Sequence, residues 1–298
     1  MARSTRIQEL ELAPVGEATS PQRSWTFRRA IARDKVLMFT AAIILIYILV
    51  ALFGPLLAPQ DPYASNPGKN FLPPSPEFWM GTDKQGRDEF SRLIVGTRYT
   101  LMGAFGVMMI ATVGGLLYGL VTAYVGGWFD AVSMRLFEVI LSIPPLVMAM
   151  LLVAAYGPGL YAVVIGVGIG YLPGIARLIR SEALVQRSQQ YVAAGEGLGF
   201  SGPRMVFRHI LPNTTSQIVV QASVNLPYAV IDIAGLSFLG FGIQPPTPDW
   251  GTMLAEGQSS MLFAPWLVIF PSLAITILVV TWHVFGARLR HALDPKKY

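Results

Sequence analysis

The chain lacks cysteine and contains only three histidines among its 298 residues. Without thiols there can be no disulfide, no thiolate metal site and no cysteine nucleophile. No two of the histidines, His209, His283 and His291, have the i, i+4 spacing that places two metal ligands on one helix face. The sequence therefore argues against a metalloenzyme and against a thiol enzyme.

Charged residues are also scarce. Asp, Glu, Lys and Arg make up 13% of the chain, whereas hydrophobic residues make up 53%. A soluble domain usually has a charged share of ~25%. The high apolar content excludes a disordered chain, and the glycines lack the triplet period of collagen. The composition indicates a membrane protein.

Charge-free hydrophobic runs recur along the chain. A helix needs about 20 apolar residues to cross a bilayer core, and only a helix satisfies its own backbone polar groups there. We therefore predict an all-α polytopic membrane protein with a leader in 1–35 and a transmembrane domain in 36–298. Its six predicted transmembrane helices occupy 36–57, 99–125, 139–156, 160–176, 214–235 and 265–286.

The distribution of basic residues predicts the orientation. An even number of spans places both termini on one side, and that side collects 17 of the 22 Lys and Arg residues. Basic residues are retained on the cytoplasmic side, so both termini and the segment 177–213 are expected to be cytoplasmic. This asymmetry also accounts for the net charge of +5 without a nucleic-acid partner.

The two longer outer loops, 58–97 and 236–264, each allow two interpretations. The first opens with prolines that favour an extended chain. It then places Phe90, Leu93 and Ile94 at helical spacing against the charges of Asp88, Glu89 and Arg92. This pattern indicates a short interfacial helix or a docking surface for another subunit. The second is too broken by Gly and Pro for a seventh span and too apolar for a free loop. It is either an ordered cap over the bundle or part of a path through the membrane.

Two acids lie at or near span depth. Asp232 stands near the outer end of span five, and a charge in lipid is costly, so it is a functional candidate. It could equally cap backbone N–H groups of a segment broken at Gly235. Glu138 follows Arg135 by three residues and is expected to form an i, i+3 ion pair with it.

The cytoplasmic segment 177–213 is amphipathic and too short to fold alone. It predicts a helix–turn–helix on the membrane surface, with Met205, Val206, Ile210 and Leu211 packed back on the helix ends. The apolar residues expected to remain exposed around the turn are Val192, Leu198 and Phe200. An exposed apolar projection of this kind favours insertion into a groove of a partner protein.

The same segment resembles a known motif. Ala193-Ala194-Gly195, three residues, Gly199, nine residues, then His209-Ile210-Leu211-Pro212 is similar to the cytoplasmic EAA loop of ABC importer permeases. Ala193 stands at the usual Glu, Gly195 at the second Ala and His209 at the usual Ile. Glu196 is the candidate substitute for the missing carboxylate.

Three further segments resemble one branch of these permeases. Gly81-Thr82-Asp83 with Gly86-Arg87-Asp88 and Ser91-Arg92-Leu93 looks like its first outer loop. The segment 239–254 looks like its last, and 292–296 looks like its C-terminal ending. The chain is thereby identified as similar to the second, C-type permease of dipeptide, oligopeptide, glutathione and nickel importers.

The resemblance implies a fold, a location and partners. It implies a multi-pass permease of the bacterial cytoplasmic (inner) membrane that forms half of a translocation path. It also implies a homologous second permease, two cytoplasmic ABC ATPase subunits and an extracytoplasmic substrate-binding protein. The chain itself has no phosphate-binding loop, because its Gly68-Lys69 pair is followed by Asn70. ATP and Mg²⁺ would therefore be bound by the partner subunits, and no cofactor is expected in this chain.

The resemblance also assigns candidate site residues. Those expected to contact the ATPase are Val192, Ala193, Ala194, Gly195, Glu196, Leu198, Gly199, Phe200, Ser201, Pro203, Leu211 and Pro212. Those expected on the substrate path are Asp232, Gln244 and Trp250. The cargo is expected to be a di- or oligopeptide, with glutathione or a nickel chelate as alternatives. A secondary transporter is the alternative from another class, but it would require an inverted repeat, which the sequence does not show.

The expected orientation can be tested with single cysteines, since the native chain has none. We expect cysteines at Ser65 and Ser259 to react with an impermeant maleimide on intact cells, and one at Ser201 to react only after lysis. Labelling of position 201 from outside would contradict the orientation.

Overall fold

A computed structural model describes residues 34–293, except for the side chain of Leu293. The expectations for the leader up to residue 33 and for the C-terminal ending beyond residue 293 lie outside the described residues. The described part of the chain is helical and contains no β-strand. Its elements are α1 (Lys35–Leu57), α2 (Glu89–Val125), α3 (Gly127–Leu141), α4 (Pro145–Tyr156), α5 (Leu160–Arg187), α6 (Gln190–Gly197), α7 (Gly202–Met205), a π-helix (Val206–Ile210), α8 (Leu211–Phe238), α9 (Trp250–Gln258) and α10 (Trp266–Leu293).

The membrane-spanning helices largely follow the apolar runs. Five helical stretches are long and apolar enough to cross a bilayer, and the bent pair α3 and α4 could supply a sixth span. The all-helical prediction is confirmed. The prediction of one continuous span over 139–156 is wrong, because α3 and α4 meet at 83°. Pro144 and Pro145 explain the bend, since proline disfavours helical backbone in the residue before it and cannot donate an N–H.

Helices α2 and α5 extend furthest beyond their predicted bounds. Helix α2 begins at Glu89, where the side chain of Asp88 accepts a hydrogen bond from the Ser91 N–H. The separate interfacial helix expected before span two is therefore the first turn of the span itself. Helix α5 continues to Arg187 instead of ending at 176, so the polar connection that follows begins later than predicted. These helices extend because their charged ends find partners within the protein.

Helices α2 and α5 pack closely at the centre of the bundle. A Cβ added at Gly119 of α2 would lie 2.6 Å from the carbonyl oxygen of Ala176, and one added at Gly115 would lie 2.8 Å from Ile175. Lipid tails supply little hydrophobic driving force for association between helices, so small residues that allow close packing hold such helices together. This pair forms the base against which α8 packs.

A buried ion-pair network joins loops 58–97 and 236–264, which are predicted to be outer and keep the names first and second outer loop. Arg87 donates through Nε to Asp83 at 2.5 Å and through Nη2 to Glu256 of α9 at 3.0 Å. Arg92 donates to the same Glu256 oxygen at 2.7 Å. Both arginine side chains are only 1% exposed. The network joins the first outer loop to α9 across more than 160 residues of sequence.

These contacts correct the interpretation of the first outer loop. Asp88, Glu89 and Arg92 are buried beneath the second outer loop. They therefore face neither a lipid interface nor an open docking surface, as the sequence had suggested. The second loop carries α9 and is an ordered cap that packs on α2, α8 and α10.

The network should contribute strongly to stability. We expect Glu256→Ala to lower the apparent unfolding temperature markedly, because it leaves two buried guanidinium groups without their shared carboxylate. Removing one partner of a buried ion pair typically costs about 3–5 kcal/mol. The measurement is thermal unfolding of the purified protein in detergent.

Glu77→Gln is the matched control. Glu77 pairs with Lys69 at 2.5 Å, but their side chains are 63% and 45% exposed. An exposed pair contributes about 0–1 kcal/mol, so this variant should unfold close to the wild type. Equal unfolding temperatures for the two variants would contradict a stabilising role of the network.

Candidate functional site

The segment from Gln189 to Pro212, here called the α6–α7 segment, connects α5 to α8. Helix α6 ends in a Schellman turn, in which the Gly199 N–H donates to the Glu196 carbonyl at 2.9 Å and the Phe200 N–H to the Gly195 carbonyl at 3.0 Å. Gly199 has φ +78°, a conformation that L side chains rarely adopt. A Cβ there would meet no other atom within 4 Å, so the turn is open to its surroundings.

One side of the segment is packed against the rest of the protein. Met205, Val206 and Ile210 are buried, as predicted. Gly195 is also buried, because the end of the Met205 side chain occupies the space where its Cβ would stand. The expectation that Val192 is exposed is wrong: it is 1% exposed and belongs to the apolar core. Val192 and Gly195 are three residues apart, so they lie on the same face of α6, and that face is turned toward the bundle.

The opposite side of the segment is exposed. Leu198, at the tip, is 76% exposed. Phe200 is half-buried, stacked on His209 at 5.7 Å between ring centroids, with the Arg204 guanidinium 4.7 Å from its ring. Leu211 is also half-buried. The candidate residues on the exposed surface are Ala193, Ala194, Glu196, Leu198, Gly199, Ser201, Pro203 and Pro212.

Two features that anchor the segment were not foreseen. Arg187, at the end of α5, donates to the carbonyl oxygens of Ala123 and Tyr124 at 3.0 and 3.1 Å, and so caps the C-terminal end of α2. The π-helix, which lies within the segment, is followed directly by α8. The Leu211 N–H donates to the Val206 carbonyl. Pro212, which has no N–H to donate to the Arg208 carbonyl, is the sequence signal for this local widening.

The bent pair is tied to α5 near the same end of the bundle. Arg180 donates to both carboxylate oxygens of Asp130. Glu138 accepts from Arg135 at 3.0 Å, which confirms the expected i, i+3 pair, and lies 3.6 Å from Arg177. Helix α3 is thus held to α5 by two of its acids, Asp130 and Glu138, which face two arginines of α5.

Asp232 does not cap a broken segment. Helix α8 continues through Gly235 to Phe238, so the expected break is absent and the capping interpretation is wrong. Instead, Asp232 is half-buried and its Oδ2 accepts a hydrogen bond from the Tyr171 hydroxyl of α5 at 2.8 Å. The two helices attached to the α6–α7 segment are therefore linked to each other by a polar contact within the bundle.

Asp232 belongs to a polar stripe along α8 that the sequence interpretation missed. Its members recur at intervals of three or four residues, which places them on one helix face. All are exposed or half-buried. The polar stripe consists of Gln217, Gln221, Asn225, Tyr228 and Asp232. The signal was present in the sequence as amide side chains at helical spacing within an apolar run.

The other two residues expected on the substrate path have structural contacts. Trp250 is fully buried, and its indole N–H donates to the Leu93 carbonyl at 3.0 Å. It therefore cannot line an open path, and that prediction is wrong. Asp249, before it, accepts from the Thr100 hydroxyl at 2.7 Å, and burial raises the pKa of this carboxyl. Gln244 is exposed but donates to the carbonyls of Gly240 and Gly242.

The arrangement offers an exposed turn and a polar helix face. Within residues 34–293, no group of three or more His, Asp or Glu side chains is placed to hold a metal ion. The chemistry available is hydrogen bonding and charge pairing along α8, together with the mechanical connection of α5 and α8 through the α6–α7 segment.

Comparison with known proteins agrees with this arrangement. Residues 115–297 match the family described as binding-protein-dependent transport system inner membrane component. Residues 24–74 match the N-terminal transmembrane domain of oligopeptide transport permease C.

Full-length relatives are similar over nearly the whole chain. The dipeptide transport system permease protein DppC of Alkalihalophilus pseudofirmus is 37% identical, over 94% of this chain and 91% of that protein. The glutathione transport system permease protein GsiD of Pectobacterium atrosepticum is 37% identical, over 96% of each. The probable D,D-dipeptide transport system permease protein DdpC of Escherichia coli is 37% identical, over 94% of this chain and 95% of that protein.

The fold is also similar to a solved transporter. A chain of the MetNI methionine ABC transporter, in an inward-facing conformation, superposes with a TM-score of 0.55 at 20% identity, covering 68% of this chain and 96% of that one. Together with the sequence matches, the bundle and its exposed turn place the chain in the family of binding-protein-dependent transport system inner membrane components, the permease subunits of bacterial ABC importers, which are transport proteins and not enzymes.

Proposed function

We propose that this permease imports di- or oligopeptides as one of two homologous transmembrane subunits, powered by two cytoplasmic ATPase subunits. An extracytoplasmic binding protein delivers the cargo, and ATP and Mg²⁺ are bound by the ATPases. The observation that carries the proposal is the exposed α6–α7 segment, which has a buried apolar base and an exposed tip. The names of two similar relatives support a dipeptide cargo.

The geometry suggests how force reaches the membrane. Val192 and Met205 anchor the segment to the bundle, while Leu198 projects from its tip. An ATPase that binds this tip and moves would displace α5 and α8 together, because the segment connects the end of α5 to the start of α8. The hydrogen bond from Tyr171 to Asp232 joins the same two helices deeper in the bundle. A movement of the tip is thereby transmitted to the polar stripe as a change in helix position.

Glutathione is the second candidate cargo. A relative named for glutathione transport has the same sequence identity to this chain, 37%, as a relative named for dipeptide transport. Glutathione shares a free ammonium group and amide bonds with ordinary peptides, so the same polar surface could serve both. Cargo choice then depends on the binding protein as well as on this chain.

The proposed cargo is tested by transport in liposomes. We expect the chain, reconstituted with its second permease, ATPases and binding protein, to accumulate labelled dialanine only when ATP is present on the ATPase side. Uptake of labelled glutathione is measured in parallel. ATP-dependent uptake of glutathione alone would favour the second candidate, and uptake of dialanine without ATP would indicate a secondary transporter.

The proposed ATPase contact is tested with Gly199→Arg. The substitution strains a left-handed turn and places a charged side chain at the exposed tip, so we expect the ATPase subunits to dissociate during purification while the permease still inserts in the membrane. The measurement is the ratio of ATPase to permease in the purified complex, together with ATP hydrolysis stimulated by the loaded binding protein.

Gly240→Arg provides a matched control. Gly240 also follows a helix, has φ +83° and has no atom within 4 Å of its added Cβ, but it lies in the second outer loop. The local backbone strain is therefore similar, while the position is remote from the α6–α7 segment. We expect this variant to retain the ATPases. Retention by both variants, or equal loss from both, would refute the assignment of the tip.

A further inference from the structure

The polar stripe on α8 cannot face lipid at low cost. Its first and last members, Gln217 and Asp232, are 15 positions apart on a helix that is long and apolar enough to span the membrane, a distance of about 22 Å at 1.5 Å per residue. Polar and ionisable side chains at this depth normally face protein or a water-filled cavity. The buried residues of α8 lie on its other sides, packed against α2, α5 and α10. The stripe is therefore the face of α8 that is available to a cargo.

The hydrogen bonds along the polar stripe leave one amide donor and one carboxylate acceptor available to a ligand. Gln221 donates to the Asn225 Oδ1 at 3.1 Å, which directs the Asn225 NH₂ group away from that contact as a free donor. Asp232 uses Oδ2 to accept from Tyr171, and its Oδ1 accepts no hydrogen bond from the described residues. One end of the stripe thus presents a carboxylate oxygen, and a position two turns away presents an amide donor.

The separation of these groups matches the length of a short peptide. Asp232 and Asn225 are seven residues apart, which is about 10 Å along a helix. An extended chain covers at most about 3.3–3.6 Å per residue, so two or three residues fill this interval. The Tyr228 side chain lies between them on the same face and is 47% exposed. Its ring can pack against the peptide backbone or a side chain.

Building on the proposed function, we infer that Asp232, Tyr228 and Asn225 form a transient binding site for a short zwitterionic peptide during passage. The free Oδ1 of Asp232 accepts from the ammonium group, and the Asn225 NH₂ donates to the terminal carboxylate. Tyr171 is a positioning residue, because its hydroxyl holds the Asp232 carboxylate in place without touching the cargo. The site orients the peptide with its ammonium end toward the second outer loop, which follows α8.

A zero-length crosslink tests the ammonium contact directly. The reconstituted importer is incubated with alanyl-alanine amide and a water-soluble carbodiimide, which condenses a carboxylate and an amine into an amide with loss of water. We expect a peptide adduct on Asp232, mapped by mass spectrometry. N-acetylated alanyl-alanine amide, which lacks the amine, should give none, and neither should Asp232→Asn.

Transport kinetics test whether the contact matters for passage. Asp232→Asn retains an oxygen that can accept from Tyr171 but removes the charge. Since hydrogen bonds to charged groups are stronger than neutral ones, we expect the maximal rate of dialanine uptake to fall about tenfold. The concentration of loaded binding protein that gives half-maximal uptake should not change, because the binding protein docks outside. Glu138→Gln removes a carboxylate that is 51% exposed, outside the stripe, and should leave uptake within about twofold of the wild type.

The results of these experiments distinguish a failure of the proposed peptide site from a failure of the proposed transport function. If the wild-type importer takes up no peptide, the proposed function fails and the site fails with it. If wild-type uptake is normal but Asp232 gives no adduct, or Asp232→Asn transports at the wild-type rate, the site alone is overturned. Failure of the Asn225→Cys variant to react with a water-soluble maleimide would also overturn it, since the stripe would then be covered by lipid or by the second permease.

Discussion

The absence of water in the bilayer core is the constraint on which the rest of this structure depends. Every polar group placed there must find a partner in the protein or face an aqueous space. The backbone meets this requirement by forming helices, and the small residues of α2 and α5 allow those helices to pack closely. Polar side chains that remain exposed on a spanning helix are then conspicuous, and α8 carries a row of them.

The same constraint connects the two ends of the proposed mechanism. Helices α5 and α8 enter the α6–α7 segment at one end and share the hydrogen bond between Tyr171 and Asp232 farther along. The segment is anchored by Val192, Met205 and the Arg187 cap on α2. A partner that displaces its tip would therefore shift two spanning helices together, along with the polar stripe that one of them carries.

The two loops 58–97 and 236–264 are held together by a different kind of contact. There, Arg87 and Arg92 share Glu256, and Asp249 begins α9 while accepting from Thr100 of α2. These contacts hold the second outer loop on α2 as a cap. A cap held by buried contacts, with the exposed α6–α7 segment in a separate part of the chain, is consistent with the proposal that motion enters through that segment.

Much of this protein is already determined by local patterns in its sequence. The apolar runs require helices because a helix satisfies its backbone internally, and the left-handed turn at Gly199 requires glycine because a Cβ is unfavourable there. Pro144-Pro145 and the amide side chains of α8 are equally local signals, yet the apolar pattern predicts one continuous span over 139–156 and does not reveal the stripe. The inward position of Val192, the burial of Trp250 and the pairing of Arg87 with Glu256 depend instead on how distant helices pack. No local pattern specifies them, because each side chain is buried or paired only when a segment far away in sequence arrives to cover it.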